Sequence, residues 1–122
     1  MKAYKIFRVI DGKIFSIAQY IYSKSKWGYI PYSKNGWNER LKRCGPITGF
    51  ESINDVFRYL SIAYHEDSKY RVYEIEYIPS VDKNVWCSKE KNFYYAFAMG
   101  SILQKGTVLM NKFKIIKKVF EI

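Results

Sequence analysis

Hydrophobic and polar positions alternate most clearly at Tyr70–Ile78, Tyr-Arg-Val-Tyr-Glu-Ile-Glu-Tyr-Ile. Tyr73, Ile75 and Tyr77 share one face and Glu74 and Glu76 the other, the period-two pattern of a strand buried on one side, which predicts an antiparallel sheet with one wet face. Just before it, Ser52 has the character of a helix N-cap. Asp55 stands three residues on, where its carboxylate can reach back to the cap and meet the positive end of the dipole. Ile53, Val56, Phe57, Leu60 and Tyr64 recur at steps of three and four. They predict a helix with one apolar stripe, Phe57 included, laid across the sheet and closed by His65 at its negative end.

The rest of the pattern is arranged around that pair. Ala3 to Ile10 and Lys13 to Ile21 are apolar, β-rich runs joined by Asp11-Gly12, two residues suited to the positive φ of a tight hairpin turn. From Tyr22 to Thr48 the periodicity fails. Gly28, Pro31, Gly36, Gly45 and Pro46 predict a long loop there, with a short strand at Trp27 to Tyr32. Pro79 to Lys83 reads as a turn, and Val85-Trp86 as a brief extension of the sheet. Ser88 is expected to cap a second helix with Phe93, Tyr94, Phe97 and Ala98 on one face, Lys89 and Asn92 on the polar face, and Gly100 at its left-handed end. Thr107 to Phe120 fits both periods. Its β-branched content and the breaker Gly106 favour a strand, paired with the first hairpin or the central strand. The fold class expected is α+β: an antiparallel sheet with an N-terminal hairpin, packed by one or two helices, in a single domain over residues 1–122.

Composition changes this picture in one respect, charge. The 122 residues carry 21 Lys and Arg against 11 Asp and Glu, a net charge of +10. Such an excess attracts nucleotides, nucleic acids, phosphates or acidic surfaces without choosing among them, and a Lys-rich surface of no special function has the same composition. Cys44 and Cys87 lie far apart, so neither zinc spacing nor a disulfide framework is indicated, and thiols in a reducing cytosol are expected. The basic N-terminal residues precede only a short apolar run, so neither a signal peptide nor a membrane span is expected, and the location predicted is cytoplasmic.

No catalytic constellation is recognisable. A lone histidine, no Gly-rich phosphate loop and no nucleophile elbow argue for a binding protein over an enzyme, with no cofactor or metal expected. Glu74 and Glu76 could serve as an acid and base pair, yet at that spacing they also suit a solvated strand face. His65 suits a helix cap better than a catalyst. The long loop interleaves Trp27, Tyr29, Tyr32 and Trp37 with six cations, and a second aromatic cluster runs from Trp86 to Tyr94. A ring to stack on a base and fixed cations for phosphates are what nucleotide binding needs. Trp27, Trp37, Arg40, Arg43, Trp86, Lys89 and Asn92 are therefore the candidate ligand-binding residues, Asn92 being able to offer both a donor and an acceptor to an adenine edge. Each ring could instead simply pin the loop to the sheet. Clustering favours a recessed pocket for a compact nucleotide. The rival is a small basic RNA- or DNA-binding protein, though the aromatic motif of ribonucleoprotein domains is missing. Twelve Tyr and eight Phe leave rings over for a homo-oligomer, dimer or larger.

The opening Lys2-Ala3-Tyr4-Lys5-Ile6-Phe7-Arg8-Val9, Gly49-Phe50 before the capped helix, the central Tyr-Arg-Val-Tyr-Glu-Ile-Glu-Tyr and the closing Gly106-Thr107-Val108-Leu109 resemble small phage and prophage proteins. Among these the chain looks most like the Thoeris anti-defence protein 1 family, over nearly its whole length. The resemblance implies a sponge that binds cyclic ADP-ribose type signals made by bacterial TIR-domain enzymes and holds them uncleaved. This sequestration is a form of immune evasion. Some members also bind cyclic oligonucleotides at separate sites of an oligomer. No ligand residue is carried over by motif, so the candidate residues rest on the chain's own chemistry.

Overall fold

Asp11 and Gly12 take φ of 50° and 75° and turn β1 (Lys2–Ile10) back into β2 (Lys13–Gln19), the hairpin their residue types predict. The computed structural model describes residues 1–19, 29–42, 44–86, 88–90, 93–95 and 103–122. The remaining strands are β3 (Tyr29–Pro31), β4 (Asn38–Glu39), β5 (Ile47–Phe50), β6 (Lys69–Pro79), β7 (Ser88–Glu90), β8 (Phe93–Tyr95) and β9 (Thr107–Glu121), with one helix, α1 (Ile53–Ala63), among the described residues. This is the antiparallel α+β architecture expected from the sequence.

Four pairings close on themselves. β1 pairs β6, β6 pairs β9, β9 pairs β5, and β5 returns to β1 through Tyr4 opposite Phe50, all antiparallel. Outside the ring, β2 and β3 extend the sheet from β1, and β4 from β9. Closure brings backbones close at Gly49, where a Cβ would stand 2.8 Å from Met110 Cε and 3.1 Å from the Tyr4 carbonyl oxygen. Three register shifts against β6, skipping Val119, Ile116 and Asn111, coil β9 around the ring.

There are two cores, one on each side of the sheet. All four ring strands contribute to the first, through Ala3, Phe7, Ile47, Tyr73, Ile75, Tyr77, Met110 and Phe113. The second lies under α1, where Val56 and Leu60 pack on Ile6, Phe50, Tyr70 and Val72. β6 is thus covered on both faces at its start, and only Glu74 and Glu76 keep the expected wet side. Both pair with lysines, Glu74 with Lys2 and Lys117, Glu76 with Lys114.

Ser52 and Asp55 form the reciprocal capping box. The buried stripe is narrower than expected. It centres on Val56 and Leu60, which leaves Phe57 at its edge, 51 % exposed and stacked on Phe120 at 5.3 Å, so Phe57 is not core. The helix also stops earlier: Tyr64 is its C-cap, and His65 lies beyond it with its carbonyl accepting from the Ser68 N–H.

The predicted second helix is replaced by a ladder. Ser88, Lys89 and Glu90 pair antiparallel with Tyr95, Tyr94 and Phe93, so aromatic β-preference and cross-strand pairing win over the three-and-four spacing of Phe93 and Tyr94. Phe97, Ala98, Gly100 and Cys87 lie outside the described residues, as does any pairing of Cys87; Cys44 is buried. Of the expected 27–32 strand, Tyr29–Pro31 is observed, with Trp27 and Gly28 outside the described residues. No described helix is long and apolar enough to cross a membrane.

Candidate functional site

Pro79 ends β6 because it has no N–H to offer the next rung. The Ser80 N–H then donates to the Leu109 carbonyl at 3.0 Å, and the Ser80 hydroxyl accepts from the Asp82 N–H at 3.0 Å, a local turn that swings the chain away from the sheet. Opposite, the start of β9 is held by a second turn. Gly106 takes φ of 90°, and the Gln104 carbonyl accepts from both the Thr107 N–H and the Thr107 hydroxyl, at 3.1 and 2.6 Å. The Gln104 amide donates to the Asp55 carbonyl at 2.8 Å, and the Glu51 N–H donates to the Gly106 carbonyl at 2.8 Å, so the start of α1 braces this turn.

Between the two turns lies a cleft of about 660 Å³. Tyr77, Leu103, Val108 and Leu109 supply apolar wall, and Lys83 and Lys105, both exposed, supply cations. Tyr77 is buried at its base, and that burial raises its phenol pKa, with Glu51 adding to the rise. Asp82 lines the cleft and is joined to Arg40 by a 2.9 Å ion pair, while the Arg40 guanidinium lies 5.8 Å from the Trp86 ring centroid. Trp86 is set by Gly45: the Gly45 N–H donates to the Trp86 carbonyl at 3.0 Å, and a Cβ at Gly45 would stand 2.7 Å from the indole.

Of the candidate residues, Arg40 and Trp86 come together, from distant parts of the chain, at the side of the cleft that Asp82 lines. Trp37 goes elsewhere. Buried Asn38 ties its amide to both the N–H and the carbonyl of Ser33, closing a tight loop with Gly36 at φ 76°, and Trp37 projects from it, 41 % exposed. Its ring meets the Lys112 and Lys114 ammonium groups at 5.0 and 5.2 Å. Lys89 lies on β7, a strand instead of the polar face of a helix. Trp27, Arg43 and Asn92 lie outside the described residues. Lys83 and Lys105 were not among the expected residues; the breakers Pro79 and Gly106, which create the two turns, were the signal for them.

Sequence reasoning also missed Lys5, which lies on the inner face of the ring beside Ala3 and Phe7, 4 % exposed. Its ammonium donates to the Thr48 carbonyl at 2.7 Å and faces the Phe7, Tyr32 and Phe113 rings at 5.5 to 5.8 Å. Burial pulls its pKa down from 10.5 to about 7. Among the described residues no group of three or more His, Cys, Asp or Glu side chains is placed to hold a metal ion. No family model, curated protein or solved structure matches the chain.

Proposed function

We propose that the chain is a non-enzymatic binding protein that takes a compact, phosphate-bearing nucleotide into the Lys83–Lys105 cleft and sequesters it. The cleft carries this reading. Its volume falls in the range of about 300 to 1,000 Å³ typical of small-molecule sites, and it combines an apolar wall with cations. Arg40 and Trp86 stand at its side as a hydrogen-bond donor to phosphate and an indole ring. The resemblance to the Thoeris anti-defence protein 1 family narrows the ligand to a cyclic ADP-ribose isomer made by a TIR-domain enzyme, and the role to phage or prophage immune evasion in the host cytoplasm. A homo-oligomer belongs to the same proposal, supported by the exposure of Phe57 and Ile62, the latter 83 % accessible.

The test is to purify the protein from cells containing an active TIR enzyme, denature it, and identify released nucleotides by mass spectrometry. Intact cyclic nucleotide in stoichiometric amount supports the sponge. A processed product would make the protein an enzyme, and no nucleotide at all would remove the reading.

One observation favours a second reading, the exposed Trp37 ring flanked by Lys112 and Lys114, which is a stacking platform with cations for a single-stranded nucleic acid. Titration of a long oligonucleotide and of the small ligand at two salt concentrations separates the two, because each neutralised phosphate of a long strand releases counterions and steepens the salt dependence.

A further inference from the structure

Arg8 stands opposite Tyr70 in the β1–β6 ladder, on the face that α1 covers. Its guanidinium carbon lies near two phenol rings, 4.7 Å from the centroid of Tyr29 and 5.5 Å from that of Tyr70. One terminal nitrogen donates to the Ser68 hydroxyl, and the other reaches the Ile17 carbonyl only at 3.4 Å. Among the described residues no carboxylate pairs with it. Two donors here are buried without an acceptor: the Arg8 Nε–H and the hydroxyl of Tyr70, a residue 1 % exposed.

That combination is uncommon in a folded interior. A buried donor without a partner loses its hydration and gains nothing in return, and a cation away from any carboxylate keeps its full charge. The two nearby rings partly offset the desolvation of the guanidinium. A planar guanidinium presents its Nε–H and the neighbouring terminal N–H as a side-on fork, the geometry that takes two oxygens of an oxyanion. Tyr59 stands close enough for Arg8 and Tyr70 to act on its phenol, whose pKa is raised first by burial and then by Tyr70.

We propose that Arg8 and Tyr70 form an oxyanion site, separate from the cleft at Lys83 and Lys105, that takes one phosphate group. The Arg8 fork binds two oxygens and the Tyr70 hydroxyl donates to a third. The long contact to the Ile17 carbonyl is the one given up to the anion. A phosphate there supplies the acceptors that both buried donors lack.

Inorganic phosphate is the probe, added to the full chain against chloride at matched ionic strength, with melting temperature and the phosphorus NMR linewidth of the anion as readouts. The expected result is a saturable, phosphate-specific rise in melting temperature with line broadening. Both should survive in the double variant Lys83→Ala, Lys105→Ala and vanish in Arg8→Gln. Tyr70→Phe is the variant that keeps the shape of the core. It should melt no lower than the wild type without phosphate, since it removes only an unpartnered hydroxyl, and bind phosphate at least about tenfold more weakly. A wild type that responds equally to chloride overturns the proposal, and so does a response lost with the two lysines. Unchanged phosphate affinity in Tyr70→Phe overturns it too, and does so even where Arg8→Gln fails to fold.

Discussion

Arg40 and Asp82 meet in a 2.9 Å ion pair beside the cleft, and the carboxylate that holds the guanidinium is itself part of the cleft wall. A phosphate entering there competes with Asp82 for the same donors. Arg40→Ala is expected to weaken a cyclic ADP-ribose type ligand by at least about tenfold, or roughly 1.4 kcal/mol, in isothermal titration. Melting should scarcely change, because a pair with 29 % and 41 % of its side chains exposed is screened by water and contributes about 0 to 1 kcal/mol. Asp82→Asn should bind as tightly or more so. Wild-type affinity in Arg40→Ala would place the ligand away from this side of the cleft.

Lys5 links the inner core to pH. Its pKa in the folded chain is lowered to about 7 from 10.5. Between these values the unfolded chain holds the proton and the folded chain does not, so stability should rise as pH increases from 7 towards 10 and stay flat in this respect below 7. The whole shift corresponds to something on the order of 5 kcal/mol as an upper bound, less whatever the three facing rings return to the ammonium. Tyr59 and Tyr77 act in the opposite sense: their raised phenol pKa values give stability that is lost as pH rises past 10. Urea midpoints between pH 7 and 9 therefore isolate Lys5. Lys5→Met should flatten that slope and raise stability at pH 6, and a slope retained in the variant would assign it to another group.

Phe57 and Leu60 separate the edge of the helix stripe from its centre. Leu60→Ala should cost about 2 to 5 kcal/mol in chemical denaturation. Phe57→Ala, with half its surface already in water, should cost roughly 1 kcal/mol, mainly the stacking on Phe120. A larger loss for Phe57, dependent on protein concentration, would show the ring buried between subunits, and light scattering of the same samples would report the change in mass.

Gly106 has no room for a side chain. A Cβ would stand 2.3 Å from the Asp55 carboxylate, and φ of 90° is itself unfavourable for any other residue. Gly106→Ala should cost about 1 to 3 kcal/mol and disturb the capping box and the cleft wall together. Loss of helical circular dichroism on thermal melting alongside loss of ligand binding is the expected signature. Intact binding with lowered stability would uncouple the two.

The hairpin, the central strand and the capped helix were legible because each is set by short-range chemistry: Asp11-Gly12, the alternation through Tyr73, Ile75 and Tyr77, and Ser52 with Asp55. What escaped was set by contacts between distant segments. Phe57 keeps a perfect helical spacing and still misses the core, because α1 faces the sheet through Ile53, Val56, Tyr59 and Leu60. Phe93 and Tyr94 fit a helix stripe until Lys89 and Glu90 are available as ladder partners. Lys5 reads as one more surface cation in a basic N-terminus, since nothing local shows that β1 lines the inside of a ring. Arg40 and Trp86 were nameable as cation and ring, but not their meeting beside Asp82, while Trp37, only three residues from Arg40, turns to Lys112 and Lys114.

The ring of β1, β6, β9 and β5 also governs the order in which the chain can fold. β1 must wait for β6, far along the sequence, and neither ring closure nor the inner core exists before β9 has been made. Pairings of such long range favour slow folding, in the millisecond to second regime. During synthesis the hairpin and α1 can form early, but Ala3, Lys5 and Phe7 stay without their cover until the last strand arrives. A nascent chain stalled before β9 should therefore be protease-sensitive throughout β1, and protection should appear in one step as β9 clears the ribosome.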